Sequence, residues 1–186
     1  KFATIADVCV LVRKVLNSFL RPESMELIDA GAAEGVADGD GFGLQSGELL
    51  LLVGVAGRRE EGGRHIAERE SLARTYNARE VSVLTGPAEE KAWGARWRLG
   101  RYLWSGMIRG RTVIPISRTK EMYQEIQQVA AKHRLRVGIT AHIGNGILYP
   151  GFFIAEGAQD GGKLGGMVSD MVRCARGLGG FFLVES

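Results

Sequence analysis

The sequence predicts a two-layer α+β fold in which helices cover one face of a mainly antiparallel sheet. Three observations lead there. Apolar residues recur at three- and four-residue steps in several separated stretches, as in surface helices with one inward face. Short β-prone runs, too short for ordinary helices, lie between them. Two of these runs flank Gly144-Asn145-Gly146, and Asn-Gly between apolar runs is a hairpin signal that makes neighbouring strands antiparallel. A length of 186 residues with 45% hydrophobic and 24% charged content suits one domain, residues 1–186, around one core.

The elements follow in order. Ile5, Val8, Cys9, Val12, Val15, Leu16 and Phe19 mark a helix that ends near Arg21-Pro22, since proline disfavours helical geometry in the residue before it. Met25 to Ile28 reads as a short strand. Ala30 to Gly47 is rich in glycine and poor in large apolar residues, so a long mobile loop is expected. Glu48 to Val55 is a nearly continuous apolar run between Gly47 and Gly57, expected as a buried central strand that anchors the sheet. Arg58 to Gly63 is charged and glycine-bearing. From there to Tyr76 a helix is expected, with Ile66, Leu72 and Tyr76 inward and His65 exposed.

Glu80 to Leu84 is a β-rich run. Pro87 with Glu89 and Glu90 then forms a helix start, proline in the first turn and acids at the positive end. Trp93, Trp97, Gly100 and Trp104 follow at helical steps, a stripe expected to pack against a neighbouring domain. Thr112 to Ile116 reads as a strand broken by Pro115, with Ser117 as a candidate cap for a helix carrying Met122, Ile126, Val129 and His133 on one face. Beyond the hairpin, Phe152 to Ala155 completes a strand and Gly157 to Gly162 is a loop. Leu164, Met167, Val168, Met171, Val172 and Ala175 give a helical face, Gly177 to Gly180 stops it, and Phe181 to Val184 is the last strand. Helices mixed with hairpin-linked strands in this order are similar to ferredoxin-like units.

The totals narrow the function. A net charge of +3, from 24 basic against 21 acidic residues, is too small and intermixed to demand nucleic acid or a membrane surface, and it would favour an anionic substrate. Cys9 and Cys174 fall on apolar helical faces, which argues for buried thiols, a reducing and hence cytoplasmic compartment, and no disulfide or metal framework. No run approaches the roughly twenty apolar residues of a membrane span. An RNA-binding sheet is disfavoured because LLLLVGVAG lacks the aromatics a base-stacking platform needs. The glycines at 157 to 166 follow a polar loop and lack the spacing of a nucleotide cradle, which argues against an isolated cofactor domain. The chain begins at Lys1 instead of methionine, as expected of a piece of a longer polypeptide.

The stretch from Val137 to Pro150 concentrates the chemistry. Val137, Ile139 and Ala141 alternate with Gly138, Thr140 and His142, so period-two geometry turns His142 away from the buried set. Ile147 and Tyr149 share one face while Leu148 points away, and Pro150 closes the pattern because it cannot donate to a central ladder. A titratable ring beside a glycine-lined turn can cradle a ligand, although on spacing alone a lone histidine there reads as a hydrogen-bonded structural residue.

AHIGNGILYP resembles the signature GH-x-GDGN-x-HP of the C-terminal domain of FAD-linked oxidases of the vanillyl-alcohol oxidase type, which includes glycolate oxidase and D-lactate dehydrogenase subunits. His142, Gly144, Gly146 and Pro150 match, whereas Asn145, Ile147 and Tyr149 stand where the family has Asp, Asn and a second His. RPESMELID resembles the family's "P-x-x-x-E-x-x-D", with Glu26 as a candidate site residue, although a solvated carboxylate at a strand end is its commoner explanation. AWGARW resembles "W-x-x-R" through Trp93 and Arg96, and VIPISR resembles "VP-x-SR". LGGFFLVES resembles "LGG-x-x-x-GEH", placing Glu185 at the family's site glutamate and Ser186 where it has histidine.

The resemblance implies the substrate-side, or cap, domain of a flavoprotein that oxidises a D-2-hydroxy acid such as glycolate or lactate, inactive alone. The FAD-binding half lies N-terminal to such a domain and is absent here. In that reading Arg118 clamps the substrate carboxylate, its guanidinium fork pairing with two oxygens, and His142 takes the hydroxyl proton as hydride leaves the adjacent carbon. Asn145, Gly146 and Glu185 fall on the cofactor side. Some family members hold a divalent metal through two signature histidines and the late glutamate; with Tyr149 in place of one histidine, no tightly held metal is expected. The implied partners are a flavin-binding domain or subunit and the small hydroxy acid, and an iron–sulfur electron-transfer subunit is also allowed. The alternative is a non-catalytic subunit that keeps the cap fold for assembly in a multi-subunit oxidase.

Overall fold

Helix α1 (Ile5–Leu16) begins at Thr4, whose Oγ1 accepts a hydrogen bond from Asp7 N at 3.1 Å, and carries Asp7 in its first turn with Arg13 and Lys14 in its last. It stops before the expected Pro22. Asn17 Nδ2 donates to Arg13 O and Ser18 Oγ to Val15 O, and these bonds end the helix while Phe19 stays 98% exposed. The computed structural model describes residues 1–19, 22–34, 42–55, 67–68, 70–101, 107–154 and 161–185, with backbone alone at 100–101 and 161–163.

Strand β1 (Ser24–Asp29) runs into a short helix α2 (Ala30–Ala33). The long loop expected from Ala30 therefore starts with a helical turn, because Asp29 caps it: Oδ1 accepts from Ala32 N and from Ile139 N, each at 2.8 Å. Glycine permits the contact of α2 with the sheet, since a Cβ on Gly138 would lie 2.6 Å from Ala32 N. Residues 35–41 of that stretch lie outside the described residues.

Among the described residues, strand β2 (Leu49–Gly54) has β1 as its one strand partner, with an isolated Phe2–Leu49 bridge at its start, and is an edge strand, which corrects the central position expected of it. Its run is apolar because both faces are partly covered: Leu49, Leu51 and Val53 join the core, while the other face meets helix α3 (Pro87–Arg101) where Trp93 approaches Gly54. Residues 70–75 are helical, with Leu72 and Tyr76 packed on the core; Arg58 to Gly63, His65 and Ile66 lie outside the described residues. Glu80 to Leu84 is not a strand. Isolated bonds tie it to the N-terminus, the Lys1 amine donating to Glu80 O and Arg79 N to Lys1 O, and Val83 and Leu84 are exposed.

Strand β3 (Met107–Val113) starts earlier than expected and leads through a 3-10 turn, Ile116–Arg118, into α4 (Thr119–Lys132). Ser117 caps nothing; Thr119 Oγ1 instead donates to Ile116 O. Strand β4 (Arg136–His142), the turn Ile143–Asn145 and β5 (Ile147–Phe153) form the expected hairpin, with Gly146 at φ 70°. A side chain on Gly146 would strike Ile114 O, whose residue's N donates to Gly146 O, so this glycine lets the turn close against the end of β3. Pro150 does not end the pattern. It lies inside β5, where the β3–β5 ladder is interrupted, so no bond on that side needs its missing N–H. Helix α5 (Gly161–Gly177) absorbs the end of the expected 157–162 loop, whose residues 157–160 lie outside the described residues, and β6 (Phe181–Glu185) completes the sheet.

All strand pairs are antiparallel, in the order β2-β1-β4-β5-β3-β6. Helices α1, α4 and α5 form the second layer of the α+β sandwich, and Val8, Leu27, Met122, Ile126, Ile139, Leu148, Phe152, Met167 and Met171 are sealed between them and the sheet. Among the described residues, the four-residue α2 and the 15-residue α3 touch the other face without closing it. His133 and Lys132, at the end of α4, both reach Asp170 of α5, at 2.8 and 2.6 Å, and hold its carboxyl well below the usual range, Lys132 foremost. Cys9 and Cys174 are free and half-buried, and burial pushes each thiol up to about 11. Among the described residues no helix is long and apolar enough to cross a membrane.

Burial pushes the Asp29 carboxyl up to about 6, against the pull of its two backbone N–H donors. A folded-state value above the unfolded one means that ionising Asp29 costs stability, so its contribution is full below about pH 4 and lost as pH rises through about 6. Chemical denaturation should show Asp29→Asn removing that fall, and Asp29→Ala costing about 1–3 kcal/mol because the N–H groups of Ala32 and Ile139 lose their acceptor.

Candidate functional site

The open face of the sheet carries one continuous row of polar side chains across five strands. Pairing register creates it. Glu26 of β1 is the cross-strand partner of His142 on β4; Tyr149 of β5 is the partner of Thr140 and so lies diagonally from His142. Arg109 of β3 is opposite Gly151, diagonal to Tyr149, and opposite Glu185 of β6. Since side chains alternate between faces, these residues all project to the side away from α1, α4 and α5.

Contacts run the length of the row. Arg96 of α3 reaches in from above, its Nε donating to Glu26 Oε2 at 2.9 Å and its Nη2 2.7 Å from the same oxygen. The other oxygen of Glu26 takes the Nδ1–H of His142 at 2.6 Å. The His142 ring meets Tyr149 edge-on, with centroids 5.3 Å apart at 87°, and the Arg109 guanidinium lies 5.1 Å above the tyrosine ring. Arg109 Nε is 3.2 Å from Glu185 Oε2. Arg111 Nε is 3.3 Å from Oε1 but makes no hydrogen bond, so it contributes charge instead of a directed bond.

Burial grades along the row. Glu26 and Arg96 are 7% and 8% exposed, whereas the His142 side chain is 41% exposed. A carboxylate facing Nδ1 draws the proton to that nitrogen and leaves the lone pair on Nε2, so His142 is a proton acceptor aimed away from Glu26. Beside it, Thr140, Tyr149, Arg109, Met107, Leu99 and Ala32 line a cavity of about 40 Å³. The row can bind an anion through its arginines and take a proton through an oriented imidazole.

His142 faces away from the core as its alternation predicts, and the row links it to Glu185. Glu26 is not a solvated strand-end carboxylate: it is buried within β1 and holds two partners. Arg118 lies elsewhere, half-exposed at the start of α4 with Glu121 3.7 Å away, and it lines neither the cavity beside His142 nor the groove between α1 and α4. Asn145 is exposed at the turn tip and Gly146 is buried beneath it. Ser186 and Trp104 lie outside the described residues, while Trp97 is 69% exposed and α3 instead buries Ala95 and Arg96. Arg109 and Arg111 were not anticipated, although their period-two spacing in MIRGRTV marks one face of a strand. On the helix side, a groove of about 500 Å³ between α1 and the start of α4 is lined by Cys9, Arg13, Leu16, Ile116, Lys120 and Ile143.

Removing Glu26 would strand a buried guanidinium, so Glu26→Ala should cost about 3–5 kcal/mol by urea denaturation, whereas Glu26→Met combined with Arg96→Met should restore most of the loss. Equal damage from single and double variants would show that the pair does not hold α3 to the sheet.

Comparison with known proteins bears on this geometry. A family model described as "FAD linked oxidases, C-terminal domain" matches residues 1–182. Among solved structures, an alkyldihydroxyacetonephosphate synthase superposes with a TM-score of 0.65 over 96% of this chain at 16% identity, a likeness of fold. The chain spans 38% of that structure's length. No curated protein matches the chain.

Proposed function

The chain belongs to the family of FAD-linked oxidase C-terminal domains, and from that premise we propose that it is the substrate-side domain of a flavin-dependent oxidoreductase acting on a D-2-hydroxy acid such as glycolate or lactate. The observation that carries this reading is the Glu26-held imidazole of His142 in one row with the Arg109 guanidinium. FAD is the cofactor of the family, and when bound it supplies the acceptor for hydride. The described residues fit contact with a flavin's reacting ring, because the polar row lies open on the sheet. We assign the rest of the dinucleotide to a flavin-binding domain or subunit beyond the described residues.

The roles follow from the chain's own atoms. His142 Nε2 accepts the proton of the substrate hydroxyl, and Glu26 stabilises the imidazolium that results, just as it fixes the tautomer beforehand. Arg96 keeps Glu26 in place. Arg109 and Arg111 bring two guanidiniums to the His142 face of the sheet, where a substrate carboxylate can pair with a guanidinium fork. Arg118 remains a second candidate for that carboxylate by its motif, and Asn145, Gly146 and Glu185 for the flavin edge.

In the flavin-loaded protein, His142→Ala should lower the rate of flavin reduction by 2-hydroxy acid about 10²–10⁴-fold. Arg109→Met should raise KM more than Arg118→Met does. Unchanged reduction in His142→Ala would end the catalytic reading, and the reverse order of the arginines would return the clamp to Arg118.

A further inference from the structure

We infer that the Arg109 guanidinium takes the place of a divalent metal in this site, so that the domain works with a built-in cation. The inference deepens the proposed function and rests on it for the anionic substrate. A metal centre here would need His142, a second ligand at position 149 and the carboxylate of Glu185. The last two are otherwise engaged. His142, its Nδ1 held by Glu26, still offers the Nε2 lone pair, so it counts as one ligand and no more. Position 149 is tyrosine, whose neutral phenol is a poor ligand, and its ring lies under the Arg109 guanidinium. Glu185 lies against Arg109 Nε at 3.2 Å and Arg111 Nε at 3.3 Å. A dication entering this space would meet two guanidiniums and find its carboxylate already ion-paired. Among the described residues no group of three or more His, Cys, Asp or Glu converges anywhere. The donor set does not fit a metal, and the chemistry of the set says what replaces it.

The replacement is physically coherent. A guanidinium stays protonated throughout the working pH range, so it needs no metal supply and no bound water to supply positive charge. Glu185 from β6 and the Tyr149 face fix its position on two sides, which limits the conformational freedom a long arginine side chain would otherwise lose on binding substrate. Arg111 brings a second guanidinium to the same carboxylate.

The test counts zinc, not turnover, in the flavin-loaded protein equilibrated with zinc chloride and then desalted. Wild type should retain no stoichiometric zinc, and neither should Tyr149→His, because Arg109 still holds Glu185 and repels the ion. Tyr149→His combined with Arg109→Ala should gain stoichiometric zinc, while Tyr149→His with Arg109→Lys, which keeps the charge, should not. Circular dichroism checks that each variant is folded. Stoichiometric zinc in wild type, in Tyr149→His or in the lysine variant would overturn the inference, as would a folded alanine double variant that stays zinc-free. If that variant does not fold, the first three decide. A wrong substrate assignment changes none of these counts, so its failure is distinguishable from failure of the metal-free reading.

Discussion

Glu26 is the constraint on which the site depends. A carboxylate buried in the middle of a strand is tolerable only if both oxygens find donors, and here Arg96 satisfies one and His142 the other. The two partners come from different layers of structure: Arg96 from a helix laid over the open face, His142 from the next strand. One buried charge therefore does three things. It pins α3 to the sheet, fixes which ring nitrogen of His142 carries the proton, and keeps the imidazole facing outward beside the arginines.

The rest of the fold serves to hold that row flat and open. The helical layer of α1, α4 and α5 seals one face with aliphatic side chains, which leaves the other free for polar residues without weakening the core. Asp29, three residues beyond Glu26 at the end of the same strand, ties β1, α2 and β4 together through backbone N–H groups. Gly146 lets the turn close on the end of β3, which holds together the strands that carry His142, Tyr149 and Arg109.

Much of this was legible in the sequence. The α1 and α5 faces, the 137–153 hairpin and the outward turn of His142 all follow from periodicity, which is a local property. What failed was what depends on distant residues. The run Glu48 to Val55 is equally apolar whether it lies in the centre of a sheet or at an edge half-covered by a helix, so its edge position could not be read. Glu80 to Leu84 has strand-like residues but, among the described residues, finds no partner strand. Ala30 to Ala33 forms a helix because Asp29 and Gly138, more than a hundred residues apart, meet there. The polar row is of the same kind: Glu26 and His142 are 116 positions apart, and only strand order makes them neighbours. The motif marked Arg118, whereas register puts Arg109 and Arg111 on the imidazole's face of the sheet, beyond Tyr149.

The most direct measurement of the central claim is the tautomer of His142, read from the ring nitrogens in a ¹⁵N-edited NMR spectrum above the histidine titration. The Glu26 contact requires a proton on Nδ1 and a bare Nε2, with that preference weakened in Glu26→Gln. A proton on Nε2 in the wild-type protein would contradict it, because the lone pair would then point at Glu26 and nothing in the row could accept the substrate's proton.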